Sequence, residues 1–195
     1  MFSGDIFASK FYRVCEGIFN LMYVTCLLIV CSLPIFTLGA SLTAFISVLR
    51  QPEYKVFDTF ITVFKDNFLR SFVMTIFTLF VVMFLFQIQL MMTNLVGGNI
   101  LFFVVLSFMT AYLVNIYVFL SILKKSNVAF LRQIFFFTIG TFYKGFFIVF
   151  MSALLGIAFS IIGGTPLLFL VPSVVLWLYL KFIDKDIKTV QELID

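Results

Sequence analysis

The charged residues of this chain are confined to a few segments. All of them fall in four stretches, residues 1–16, 50–70, 124–144 and 181–195. Three charge-free stretches lie between these, Gly17–Leu49, Ser71–Leu123 and Gly145–Leu180. A transmembrane helix needs about 20 apolar residues to cross a hydrocarbon core of about 30 Å. Each charge-free stretch is therefore long enough for at least one crossing, and the second is long enough for two.

The second and third stretches each contain an uncharged break. The break in the second stretch is the turn Thr93–Asn99, and the break in the third is Gly163–Pro166. Glycines end a helix readily, and proline suits the first turn of the next helix. Together the breaks predict four transmembrane helices, over residues 71–92, 100–123, 145–162 and 166–183.

The first crossing, residues 18–50, is broken at Pro34–Gly39. In one alternative, residues 21–38 cross once, the N-terminus lies outside and the chain has five spans. In the other, the Pro34–Gly39 segment turns back, Lys10 and Arg13 stay inside, and the chain has six membrane elements. Non-helical backbone at membrane depth is tolerated where other protein covers it. We favour the hairpin because its N-terminal cations then lie on the same side as the others.

Two of the charged segments have the pattern of amphipathic helices. Within residues 54–70, five apolar residues recur at helical spacing, Phe57, Phe60, Ile61, Phe64 and Phe68. Residues 1–17 carry a similar stripe, and both segments are predicted to lie in the membrane interface. The predicted fold is one domain over residues 1–195. It is an all-α polytopic transmembrane bundle with five or six membrane elements, amphipathic interfacial helices and a tail at 184–195.

The composition agrees with this pattern. Apolar residues make up 63% of the chain and charged residues 11%, whereas soluble domains carry about 45–50% and about 25%. These values exclude an ordinary soluble domain and indicate an integral membrane protein whose main partner is the lipid bilayer. The net charge of +4 gives no reason to expect nucleic-acid binding.

Lysine and arginine set the predicted orientation. Segments 50–70 and 124–144 each carry four cations, and three more follow residue 180, whereas the two breaks carry none. Cationic loops stay on the cytoplasmic side of the membrane. The charged segments and the C-terminus are therefore predicted to face the cytoplasm.

The chain offers little for catalysis. It contains no histidine, the commonest general base and metal ligand, and no ionisable residue lies deep in a predicted crossing. Intramembrane charges usually mark proton relays and ion pathways. We therefore expect a non-enzymatic protein without catalytic residues, metal or cofactor.

Polar residues within the crossings are the candidate binding residues. Gln87, Gln89 and Asn115 either line a small polar cavity for a neutral solute or form interhelical hydrogen bonds, and we favour the second interpretation. At the predicted break, Pro34 removes a backbone donor and Thr37 can satisfy a freed carbonyl. Gly39 permits an unusual backbone conformation there. Such breaks bind solutes in transporters, although a simple bend is the favoured interpretation.

Small residues recur at every fourth position in the predicted helix 145–162 and just beyond it, at Ser152, Gly156, Ser160 and Gly164. This spacing lets another helix approach closely. The contact is either internal or with a partner or second copy, and we favour internal packing.

The N-terminal quarter carries a recognisable motif. The Lys10–Arg13 and Ile18–Val24 segments precede Cys31-Ser-Leu-Pro-Ile-Phe-Thr-Leu-Gly-Ala40 and Leu42-Thr-Ala44. These segments and Phe60–Arg70 resemble the YesL-like family, bacterial membrane proteins of unknown function common in Firmicutes. The resemblance implies a multi-pass protein of the bacterial plasma membrane. Genes of that family often neighbour carbohydrate ABC-transporter genes, which implies an accessory role. No catalytic residue or ligand can be transferred from it.

The leading functional hypothesis is accordingly a non-enzymatic accessory or regulatory membrane subunit. It would act through helix contacts with an ABC transporter or with other membrane subunits. The alternative is a small solute-binding transport subunit of the vitamin-transporter substrate-capture type.

We predict that Lys65 and Lys125 lie on the same, cytoplasmic leaflet. After Cys15, Cys26 and Cys31 are replaced by serine, a single cysteine at position 65 or 125 should resist an impermeant maleimide in intact cells. Both should react after permeabilisation. Labelling of the two positions from opposite sides would contradict the orientation, and labelling of position 4 from outside would exclude the hairpin.

Overall fold

The computed structural model describes residues 3–50, 55–92, 98–122, 128–162 and 171–194. Within these ranges the regular elements are seven α-helices and one 3-10 turn, with no β-strand. They are α1 (Ser3–Ser32), the 3-10 turn (Ile35–Thr37), α2 (Leu38–Arg50), α3 (Val56–Met92), α4 (Gly98–Ile122), α5 (Val128–Gly140), α6 (Phe142–Ile162) and α7 (Val171–Ile194). The predicted all-α class is confirmed for these residues.

The shortest of the early helices, α2, lies at the centre of the bundle. It has 13 residues, of which eight are buried, and it contacts α1, α3, α4 and α7. The sequence allows this because small side chains such as Ala40 and Ala44 let neighbouring helices approach closely. Large side chains such as Phe45 and Ile46 fill the remaining space and are fully buried.

The packing of α2 against α3 is antiparallel and close. The Gly39 amide donates to Thr75 Oγ1 at 3.0 Å, and the hydroxyl oxygens of Thr43 and Ser71 lie 3.2 Å apart. Thr75 in turn donates to the Ser71 carbonyl at 2.7 Å. A Cβ at position 39 would lie 2.6 Å from that carbonyl oxygen and closer still to Thr75 Oγ1. Only glycine fits there.

The chain reverses direction between α1 and α2. Thr37 Oγ1 lies within hydrogen-bond distance of the Cys31 carbonyl in the last turn of α1 and 2.7 Å from the Pro34 carbonyl. The Pro34 carbonyl also accepts the Thr37 N–H at 2.9 Å, so Thr37 closes the turn between the two helices. Gly17 of α1 and Leu49 of α2 line the same cavity. The two helices therefore form a hairpin, as the turning-back alternative requires.

The tip of this hairpin is apolar and exposed. The exposed fractions of Leu33, Ile35 and Phe36 are 76%, 62% and 54%. These three neighbouring apolar side chains are not covered by the described protein. Their exposure is more favourable in hydrocarbon than in water.

By length and composition, three helical segments could span a membrane, Cys15–Ser32, Val56–Met92 and Gly98–Ile122. A fourth span arises if Phe130–Gly140 and Phe142–Ala158, bent by 76° at their junction, count as one. Only the described residues enter this count. It is fewer than the five or six membrane elements predicted from the sequence.

The difference has physical causes. Helix α2 is about 20 Å long at 1.5 Å per residue, which is too short to cross. The described part of α7 begins at Val171 and soon reaches charged residues from Lys181 onwards. The break at Gly163–Pro166 and most of the turn Thr93–Asn99 lie outside the described residues.

Helix α3 is continuous where the sequence analysis separates an interfacial helix, 54–70, from a crossing, 71–92. No proline or glycine occurs between Val56 and Met92, so nothing in the backbone interrupts the helix. The charged segment 124–144 also contains a helix, α5, that the sequence analysis did not identify.

We predict that Gly39→Ala destabilises the protein by about 1–3 kcal/mol, because the added methyl group overpacks the α2–α3 contact. The measurement is thermal unfolding of the purified protein in detergent. The control is Gly17→Ala, whose Cβ would meet no atom within 4 Å and which should be neutral or stabilising. Equal stability of the two variants would contradict the close contact.

Candidate functional site

A cavity of about 450 Å³ lies between α3 and α4, beside α2. Its walls are mainly apolar, and four polar side chains reach it, Thr78, Gln89, Thr110 and Tyr117. The hydroxyl oxygens of Tyr117 and Thr78 lie 2.7 Å apart, and Thr78 donates to the Met74 carbonyl at 2.8 Å. The cavity therefore has the few placed polar groups in an apolar wall that are typical of sites for small molecules.

No residue of the helix break at Pro34–Gly39 lines this cavity, but one of them lies directly behind its wall. A Cβ on Gly39 would lie 3.2 Å from the Tyr117 ring, so Gly39 backs the tyrosine that lines the cavity. Thr37 and Pro34 instead complete the hairpin turn. Of the six residues predicted for binding, the structure brings Gln89 to the cavity and Gly39 next to it.

Gln87 is exposed on α3 and is not part of the cavity wall. Asn115 is fully buried, but its contacts lie elsewhere. Its amide nitrogen donates to Thr138 Oγ1 at 3.0 Å, and its amide oxygen accepts from Tyr179 OH at 2.8 Å. Asn115 thus joins α4 to α5 and α7 in an interhelical network.

Sequence reasoning missed Thr78 and Tyr179. Ser71, Thr75 and Thr78 recur on α3 at spacings of four and three, which places them on one face of a helix. That signal is present in the sequence and identifies the face that packs on α2 and α4. The partnership of Tyr179 with Asn115 has no such local signal.

A second polar cluster connects α7 to α6 and to the end of α2. Lys144 of α6 is buried and forms a salt bridge with Asp186 of α7, and its ammonium also donates to the Phe182 carbonyl at 3.1 Å. At the end of α2, burial lowers the pKa of the Arg50 guanidinium, and the nearby Asp184 carboxylate opposes that shift. The ends of these three helices therefore lie on one side of the bundle.

The described chain covers the small residues of α6 only in part. Ser152 and Gly156 are half-buried and Ser160 is exposed, while Gly164 lies outside the described residues. A Cβ on Gly156 would meet no atom within 4 Å. Helix α6 packs on α4 through Gly145 instead, where a Cβ would overlap the Ala111 methyl group.

Within the described residues, no three His, Cys, Asp or Glu side chains lie close enough together to ligate one metal ion. Every buried side-chain nitrogen and oxygen there has a hydrogen-bond partner. The polar interior of this part of the chain consists of satisfied contacts, some within one helix, such as Ser107 with the Phe103 carbonyl, and some between helices, such as Asn115 with Thr138.

Comparison with known families gives one match. The family model described as "Protein of unknown function, DUF624" matches residues 19–87. The matched region runs from α1 through the hairpin turn and α2 to near the end of α3, and so contains the Gly39 contact. No curated protein and no solved structure matches the chain.

We predict that Asn115→Leu lowers the stability of the protein by about 1–3 kcal/mol, because Tyr179 and Thr138 lose a partner in a buried position. The matched control is Gln87→Leu, an exposed amide that should change stability by less than about 0.5 kcal/mol. Thermal unfolding in detergent measures both. If Asn115→Leu proved as harmless as the control, the network would not hold the helices together.

Proposed function

We propose that this protein is a non-enzymatic accessory or regulatory subunit in a bacterial plasma membrane, of the YesL-like kind. Its partner is a carbohydrate ABC transporter, which it contacts through transmembrane helices. The observation that carries the proposal is the small-residue spacing of α6 with empty space beside Gly156. Small residues at every fourth position are typical of helices that pair closely in membranes, and here no part of the described chain fills the space beside Gly156.

Two further observations accord with the proposal. The DUF624 match covers the hairpin and α3, and the motif there is the one that resembles the YesL-like family. The buried polar groups of the described core, Asn115 among them, are engaged in hydrogen bonds between helices, an arrangement that builds a scaffold.

The proposed topology is multi-pass with a cytoplasmic C-terminus. The salt bridge between Lys144 and Asp186 and the proximity of Arg50 to Asp184 support a common side for the three cationic segments. The positive-inside rule assigns that side to the cytoplasm.

A second candidate function is the solute-binding transport subunit. The cavity between α3 and α4 favours it, since its volume lies within the range of about 300–1,000 Å³ typical of ligand sites and Gln89 and Tyr117 supply polar contacts. A small molecule that co-purifies with the wild-type chain, and is lost in Tyr117→Phe and in Gln89→Leu, would establish this function instead.

We predict that Gly156→Leu abolishes association with the transporter because the larger side chain prevents close helix contact. Tagged full-length protein is extracted from native membranes in mild detergent, and captured permease subunits are quantified by mass spectrometry. The wild type should capture an ABC-transporter permease, and the variant should capture at least about tenfold less.

The matched control is Gly140→Leu, at another glycine whose Cβ would meet nothing but outside the α6 face. It should capture the permease as the wild type does. Equal capture of the permease by Gly156→Leu and the wild type would overturn the proposal. Capture of a second copy of this chain without any permease subunit would overturn it as well.

A further inference from the structure

A second cavity, of about 490 Å³, lies between α1, α2, α3 and α7. Four helices contribute to its wall, which includes Gly17, Asn20 and Leu21 of α1, Leu49 of α2, Val56 of α3 and Trp177 of α7. The wall is apolar except for the Asn20 amide. A cavity of this size and character accepts a largely apolar ligand.

Three cationic residues lie next to wall residues of this cavity. The Lys181 ammonium lies 3.8 Å from the centroid of the Trp177 ring, so a positive charge rests on a wall residue. Arg50 follows the wall residue Leu49, and Lys55, which is exposed, precedes the wall residue Val56. The cavity is thus apolar inside and basic at its edge.

Fewer carboxylates than cations lie beside the cavity. Glu16 precedes the wall residue Gly17, and Asp184 lies near Arg50 as well as 2.7 Å from Lys188. Asp186 pairs with Lys144. In the described part of the chain Lys181 has no salt bridge. Its contact with Trp177 leaves the ammonium protons available to an anionic group.

The edge of the cavity also has the features of the membrane interface. Tryptophan is enriched where hydrocarbon meets the headgroups, and lysine extends its charge toward water along an apolar stem. The α1 segment that lines the cavity, Cys15–Ser32, is apolar enough to span the membrane. The ligand therefore has an apolar part at hydrocarbon depth and an anionic part at the interface.

We propose that this cavity binds one acyl chain of an anionic phospholipid, with the phosphate beside Lys181. Charge distinguishes the ligand from zwitterionic lipids, because basic pockets between membrane helices favour anionic headgroups. The lipid contacts four helices at once, and it therefore stabilises the arrangement of the α1–α2 hairpin against α3 and α7.

The sequence supplies a built-in probe, since Trp177 is the only tryptophan of the chain. The full-length protein is reconstituted into vesicles in which either phosphatidylglycerol or phosphatidylcholine, at equal mole fraction, carries brominated acyl chains. Bromine quenches tryptophan fluorescence on contact. We expect brominated phosphatidylglycerol to quench Trp177 about twofold or more beyond brominated phosphatidylcholine.

Two variants separate a bound lipid from bulk lipid at the protein surface. Gly17→Leu fills the cavity from a position whose Cβ has open space, and Lys181→Gln removes the charge at its edge. Both should reduce the quenching ratio of the two lipids to about one, whereas Gly140→Leu should leave it unchanged. Circular dichroism confirms that each variant is folded.

Equal quenching of the wild type by the two lipids would overturn the proposal. So would an undiminished ratio in folded Gly17→Leu. Should that variant not fold, Lys181→Gln decides, and a ratio that it leaves unchanged overturns the proposal equally.

Discussion

The antiparallel contact between α2 and α3 determines how the rest of the chain packs. A helix N-terminus has amide groups without intrahelical partners, and such a group is costly to bury where no water reaches it. Thr75 resolves this for Gly39 by accepting its N–H, and the absence of a Cβ lets the two backbones approach. Helix α2 can then be buried from its first turn. Helix α1 folds back and contacts α2, and Tyr117 of α4 packs beside Gly39.

Two kinds of polar contact divide the bundle between them. Hydroxyl and amide pairs, such as Tyr117 with Thr78, join helices deep in the apolar part, where neutral groups lose less hydration than ions do. Ion pairs, such as Lys144 with Asp186, join α6 and α7 at the charged segment that follows residue 180. This separation explains why the charged residues of the sequence mark the ends of the crossings. The free energy lost when ions are desolvated in hydrocarbon exceeds the free energy gained when they pair.

The sequence predicts those parts of the fold that follow from hydropathy along one segment. The all-α class and the polar residues of the crossings come from that pattern. Hydropathy does not reveal contacts between distant segments, such as Asn115 with Tyr179. It also does not separate an interfacial helix from a span when both belong to one continuous helix, which is why α3 differs from its prediction.

The helical glycines lie in two kinds of surroundings, close helix contacts and open space. A helical glycine costs about 0.5–1 kcal/mol relative to alanine. At Gly39 and Gly145 close helix contacts offset that cost, because a Cβ would overlap a neighbour. At Gly17, Gly140 and Gly156 a Cβ would meet nothing, so the described chain offers no such compensation. Two of these glycines carry a second feature: Gly17 lines an apolar cavity, and Gly156 belongs to the small-residue spacing of α6. A bound acyl chain at Gly17 and a partner helix at Gly156 would supply the missing contacts, whereas Gly140 has neither feature and serves as the control.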